Sequence, residues 1–240
     1  MKKIKFLSVC FVLITSSIFT SCSTDVEPLD PAVVVDPGEN GGGESTGDYW
    51  PMAINNSWTF NANGEGEPPM KIVSSEQING NTYYKYENFL GASTAGTGFE
   101  ATVWTRKSNG NYYARQGASS AGGEGVPSIT VEPFEIIVLK DFLAVNETWQ
   151  QTVNQTTIVQ GFPPMVTPVN IQGKILEKDV TLTVNGEEFQ DVIKAEVIQN
   201  TQGVTNTNYY WFAKDVGIIK YQNIYQTFNT THEIVSYTIN

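Results

Sequence analysis

The chain has 240 residues, 14 Lys and Arg against 25 Asp and Glu, a formal charge of −11 and two cysteines. So acidic a surface repels phosphate backbones and excludes nucleic acid as a partner. Both cysteines, Cys10 and Cys22, lie near the start, so everything after them lacks a disulfide and a zinc site built from Cys and His, and must be held by its own core.

In chain order, Lys2, Lys3 and Lys5 precede an apolar run from Phe6 to Ile14, then small residues at Thr15, Ser16 and Ser17. This is the layout of a signal peptide over residues 1–21, with an apolar run too short for a span of about 20 residues. Phe19-Thr20-Ser21-Cys22 resembles a bacterial lipobox, with Phe where Leu is usual. That resemblance implies lipid attachment at Cys22 as the new N-terminus; the other reading is ordinary secretory cleavage. Stable anchoring takes two or more acyl chains, and the lipobox class implies at least two. Loss of residues 1–21 removes three lysines and no acid, so the 14 basic residues fall to 11 against 25 acids, about −14.

Residues 22–48 form a lipidated tether whose stretch "STDVEPLDPAVVVDPGENGGGESTGD" holds seven acids, no base and three prolines. It has too little apolar surface to offset the entropy of ordering and is expected to be disordered, with a typical reach of ~30 Å. Acid directly after the cysteine resembles export signals that carry lipoproteins to the outer leaflet, so the expected location is the outer membrane, facing either the cell surface or the periplasm.

Residues 49–240 are expected to form a single all-β domain, large enough to bury about 70% of its unfolded surface. Short runs of alternating apolar residues recur, and Asn63-Gly64, Asn79-Gly80, Asn109-Gly110 and Asn185-Gly186 supply the positive φ angles of type I′ hairpin turns. "SSEQINGNTYYKYEN", "VWTRKSNGNYYARQ" and "TLTVNGEEFQDVIKAEVIQ" each predict a hairpin, whereas Asn63-Gly64 is compatible with a plain loop. No apolar repeat at helical spacing is convincing, and Glu187 to Gln199, the nearest case, favours a strand through its β-branched residues. The expected architecture is a curved antiparallel sheet of mostly sequential hairpins, forming a half-open barrel or a two-layer sandwich.

"AINNSW" at 53–58 is echoed by "AVNETW" at 144–149. Each precedes a predicted strand, so the pair is expected to form equivalent corners, each Trp plugging an end of the core. "GASTAG" at 91–96 and "GASSAG" at 117–122 place their second glycine one residue late for a nucleophile elbow and are expected to be surface loops. "PMAINNSW", "NGEEFQDVIKAEV" and "YYWFAKDVGIIKY" resemble the "PLxxGNSW", "NGxxFxDVIKV" and "YYWFAxGVGxVKY" motifs of uncharacterised Bacteroidota outer-membrane lipoproteins. There is also a distant similarity to lipoprotein-carrier-like half-barrels, in which a curved sheet wraps an apolar cavity. That similarity implies binding rather than chemistry, as an analogy of fold.

Catalytic signatures are absent. His232 is the single histidine, has no elbow serine to partner it, and is expected at the surface or a strand edge. Glu132, Glu135, Glu187, Glu188 and Asp191 are the carboxylates placed for a glycosidase pair, which needs only two acids at the right separation, but nothing separates them from solvated acids. No calcium-loop pattern occurs; no metal and no cofactor is expected. Aromatic residues crowd three predicted strand groups. Tyr209 and Trp211 share one face of their strand, Tyr210 and Phe212 the other. Trp104, Tyr112, Tyr209 and Trp211 are the candidate ligand-binding residues, since flat rings with polar handles suit sugars or apolar ligands, although cross-strand aromatic pairs also simply stabilise sheets. The loop "GFPPMVTP" at 161–168 is a pocket rim, a membrane-contacting tip or a packed crossing loop.

The leading expectation is a lipid-anchored, non-catalytic envelope protein that binds a glycan or an apolar ligand. The alternatives are an assembly component with an envelope protein partner and, behind it, a carboxylate-dependent glycan hydrolase.

Overall fold

The computed structural model describes residues 42–91 and 100–240; the leader, Cys22 and most of "GASTAG" fall outside them. The strands are β1 (Ser57–Ala62), β2 (Glu65–Gly66), β3 (Met70–Ile78), β4 (Asn81–Glu87), β5 (Glu100–Ser108), β6 (Asn111–Ser120), β7 (Ile129–Lys140), β8 (Thr148–Val159), β9 (Met165–Val184), β10 (Glu187–Thr201), β11 (Val204–Ala213), β12 (Gly217–Tyr225) and β13 (Phe228–Thr238). A 3-10 turn at Phe89–Gly91 is the one helical element among the described residues.

The protein is an all-β antiparallel barrel. Strands follow in sequential order, and the sheet closes where β13 pairs with β1 from Ser57↔Thr238 to Ala62↔His232. The two-residue β2 lies beside β1 in line with β3, so the ring has twelve staves. Closure pairs the first and last staves with each other, so neither is left as an edge strand to template aggregation. The curved sheet of sequential hairpins expected from the sequence is present, and its two ends meet.

Turn chemistry explains the hairpins. All four Asn-Gly pairs have both residues at positive φ, for example Asn185 at 48° and Gly186 at 86°, as type I′ turns require. The three predicted hairpins are β3–β4, β5–β6 and β9–β10, and Asn63-Gly64 closes β1–β2.

The echoed segments are the same structural corner used twice. Asn55 N–H donates to Ile72 O, Ile72 N–H to Asn56 O and Asn56 N–H to Ala53 O; Asn146, Ile175, Glu147 and Ala144 repeat that pattern. Asn55 and Asn146 have φ of 75° and 71°, a left-handed conformation that Asn tolerates. Register agrees as well: Trp58 faces Met70 and Ser57 faces Lys71, as Trp149 faces Gly173 and Thr148 faces Lys174. The ring is therefore two six-stave halves, β1 with β3–β7 and β8–β13.

The halves differ at their seams. β13 and β1 pair along six positions, but β7 and β8 pair only from Ile129↔Val159 to Val131↔Thr157. Beyond that, side chains of β8 take over. Gln151 accepts from Ile137 N–H at 3.0 Å and donates to Glu135 O at 3.2 Å, and Trp149 Nε1–H donates to Ile137 O at 3.3 Å. Ile137 N–H, Ile137 O and Glu135 O, which have no strand partner on this side, are thereby paired.

A twelve-stave ring is wider than side chains from its own wall readily fill, and at one end the chain fills it with an inserted strap. This near end carries the turns at 109–110, 141–147 and 214–216; the turns at 63–64, 121–128, 160–164, 202–203 and 226–227 form the far end. Tyr49, Trp50 and Trp58 are buried, and the Trp50 ring sits 5.8 Å from Phe212, 6.0 Å from Phe89 and 6.1 Å from Tyr86. Residues 42–48, read from sequence as the end of a disordered tether, are docked. Ser45 Oγ donates to Asp141 Oδ2 at 2.6 Å, Tyr112 OH donates to Gly47 O at 2.9 Å and receives Tyr49 N–H at 3.0 Å, and Asp48 pairs with Lys107 at 2.6 Å. A β-carbon on Gly42 would lie 2.5 Å from that of Asn109, and one on Gly43 2.5 Å from the Phe142 ring. These glycines permit close approach rather than looseness. Burial pushes the carboxyl of Asp141, the one buried acid among the described residues, above its ordinary value, against the opposing hydrogen bonds from Ser45, Thr46 and Tyr112.

Two further expectations change. Residues 117–120 of "GASSAG" belong to β6, Ala118 facing Val131, because the hairpin continues through small residues rather than ending at them. His232 is buried within β13, its Nδ1 2.8 Å from Glu67 Oε2, because its position in the alternation faces inward.

Candidate functional site

The inner face near the far end is polar, and the alternation of β11 shows why. Asn206, Asn208, Tyr210 and Phe212 are all buried, while the residues between them are partly exposed. The core face of this strand thus passes from aromatic to amide as it runs outward. β10 does the same, from Ala195 and Val197 to Gln199 and Thr201, and β12 sets Tyr221 and Asn223 beside them. Register joins these residues into one wall, with Gln199 opposite Asn206, Asn208 opposite Asn223 and Tyr221 opposite His232.

The wall is preorganised by hydrogen bonds along itself. Tyr221 OH donates to Asn208 Oδ1 at 2.7 Å, Asn223 Nδ2 donates to Asn206 Oδ1 at 2.6 Å and Asn208 Oδ1 at 2.9 Å, and Asn208 Nδ2 donates to Val197 O at 3.3 Å. Tyr221 lies 4.9 Å from the Tyr210 ring and 5.4 Å from His232. Thr201, one pair inside the β10–β11 turn, is buried, and its Oγ1 has no partner. Apart from the His232–Glu67 contact the wall is uncharged. Its amides and hydroxyls both donate and accept, which suits a neutral ligand rich in hydroxyl groups.

The four aromatic residues singled out from the sequence are not brought onto one surface. Tyr112 faces inward, buried, its hydroxyl engaged by the strap, and burial raises its pKa. Tyr209 and Trp211 sit together with ring centroids 6.4 Å apart, on the face opposite Tyr210 and Phe212. Lys194 and Lys220 lie 5.0 and 5.5 Å from the Trp211 ring and pair with Glu177 and Glu233. Trp104 occupies the equivalent position in the first half. It pairs with Lys85, whose Nζ is 5.9 Å from the ring, as Trp211 pairs with Lys194. Both tryptophans therefore belong to cross-strand cation–π rows. Cys22 lies outside the described residues.

Among the carboxylates, Glu132, Glu187, Glu188 and Asp191 are exposed. Glu135 is held by Arg106, at 2.7 and 3.0 Å, and by Tyr83 OH at 2.6 Å, with the guanidinium stacked 3.7 Å from the Tyr113 ring. No cluster of three or more metal-ligating His, Cys, Asp or Glu residues occurs among the described residues.

Sequence reasoning missed the amide wall. The available signal was phase: Asn206 and Asn208 share parity with the core residues Tyr210 and Phe212, so polar groups were continuing a buried face.

No family model matches the chain, and no curated protein matches its sequence. Two solved structures resemble it. A protein from Parabacteroides distasonis assigned as a lipoprotein shares 9% identity over 81% of this chain and 100% of its own, with a TM-score of 0.43. A protein from Bacteroides fragilis assigned as exported, with a YmcC-like fold, shares 8% identity over 79% of this chain and 98% of its own, with a TM-score of 0.39. Similarity this distant carries no argument about what this chain does.

Proposed function

We propose that this is a non-catalytic binding protein, lipid-anchored through Cys22 in the outer membrane of the bacterial envelope, whose barrel interior takes a neutral, hydroxyl-rich ligand of glycan type. The signal peptide and lipobox-like Cys22 support the location. The observation that carries the binding reading is the amide wall of Asn206, Asn208, Tyr221 and Asn223 on a core face. Buried polar groups destabilise a fold relative to apolar packing unless fully paired, and the hydroxyl of Thr201 is unpaired where the wall meets the far end.

Calorimetric titration of the mature protein with neutral oligosaccharides and, separately, fatty acids tests the reading. Saturable binding in the saccharide set supports it; binding confined to fatty acids, or to neither, refutes it. Thr201→Val removes the unpartnered hydroxyl at constant shape. It is expected to leave the melting temperature unchanged or higher while weakening saccharide binding several-fold, since one hydrogen bond contributes about 1 kcal/mol.

A further inference from the structure

The β8–β9 hairpin stands apart from the rest of the molecule. From Thr148 to Gly173 the sequence contains no Asp, Glu, Lys or Arg, in a chain of which 16% is charged. Its tip carries Phe162 at 68% exposure, Met165 at 49% and Val166 at 61%, and Pro163 and Pro164 stiffen the turn between them. The tip also projects. The last pair between β9 and β10 is Val169↔Thr201, so residues 165–168 run on past that pair, the one beside the β10–β11 turn, by about 13 Å at 3.3 Å per residue. Val126, 60% exposed, lies in the β6–β7 loop, which is tied to the hairpin by Gln160 N–H donating to Ser128 O at 2.9 Å. Glu124 is the acid of that loop.

We propose that this tip inserts into the lipid bilayer that holds the anchor, giving the protein a second, reversible membrane contact. The proposal rests on the lipid-anchor reading above. Apolar side chains with no charge to desolvate are what the interfacial zone accepts, and a bilayer takes them without the matching pairs that a protein partner would supply. The length of the tether permits the geometry. From Cys22 to the docked Gly42 the chain reaches at most about 70 Å, whereas β9, the longest strand at 20 residues, spans at most about 50 Å along the barrel when tilted at about 40°. The barrel can therefore lean over until its far end meets the membrane.

The mature chain has no cysteine besides Cys22, so one introduced thiol reports one place. Acylated protein carrying Val166→Cys, labelled with an environment-sensitive fluorophore, is placed on phosphatidylcholine vesicles containing a spin-labelled lipid. A label at Asn185→Cys, in the exposed β9–β10 turn of the near end, is the control. The expected result is blue-shifted emission and at least twofold stronger quenching at 166 than at 185, abolished by adding Phe162→Ser and Met165→Ser. Equal quenching at the two positions on vesicles that retain the protein overturns the proposal, as does a shift at 166 that appears only when envelope protein is added. If the protein washes off, the anchor reading fails. The tip is then judged at raised vesicle concentration, where stronger quenching at 166 supports it and equal quenching overturns it.

Discussion

Gly173 and Gly186 both lie in the long β9–β10 hairpin, and each must be glycine for a different reason. At Gly173 the backbone is ordinary strand, but a β-carbon would fall inside the Trp149 indole. At Gly186 there is open space, and φ is 86°. Gly173→Ala is expected to cost about 1–3 kcal/mol by overpacking, relieved when Trp149→Leu is added; Gly186→Ala is expected to cost about 1–2 kcal/mol through backbone strain alone, with no rescue from any neighbour. Urea unfolding of the two single variants and the double variant checks both. The Asn-Gly turns were legible in the sequence because their chemistry is local; the need for Gly173 was not, because it depends on which residue lies opposite in the ladder. Tyrosines give a residue-scale pH prediction. Burial, then the bond to Glu135, push Tyr83 up to about 12, and burial raises Tyr86 and Tyr112. Unfolded phenols ionise near pH 10, so these groups contribute stability in full below that pH and lose it as pH rises toward 12 and beyond. Absorbance titration at alkaline pH should show these three ionising only together with unfolding, and their ionisation in the intact fold at ordinary pKa would contradict the burial described.

Among the elements, the seam between β7 and β8 is where side chains replace a ladder. Gln151→Leu strips the partners from Ile137 N–H and Glu135 O, and is expected to cost about 1–3 kcal/mol. Amide exchange at Ile137 should quicken by about tenfold or more while the amides of β12 keep their rates; unchanged exchange at Ile137 would refute the bridging role. Strands and corners were visible in advance because apolar alternation and "AINNSW"/"AVNETW" are written in short runs of sequence. The docked strap was not, since glycine and acid are the same composition whether they confer freedom or fit closely under Asn109 and Phe142. Nor was the amide wall, because Asn206 and Asn208 acquire an inward sense only from the strand phase set by Tyr210 and Phe212. The aromatic residues were read as one binding set, but strand parity divides Tyr112 from Trp104 and gives the two tryptophans matching places in separate halves.

As a whole, the molecule is a ring stoppered at the end where its tether enters, with a polar inner wall toward the other. Trp50 is the stopper, and Trp50→Ala is expected to lower stability by about 3–5 kcal/mol while leaving the Asn-Gly hairpins in register, as chemical denaturation and backbone NMR would show. The interior wall is the part of this arrangement that stability alone does not call for. The side-chain amide resonances of Asn206, Asn208 and Asn223, followed during titration of the isotopically labelled mature protein with neutral oligosaccharides, give the most direct test. Saturable shifts of these three amides, with the exposed amides of Asn185 and Asn229 unmoved, are predicted. A wall that stays silent throughout the saccharide series would contradict the account.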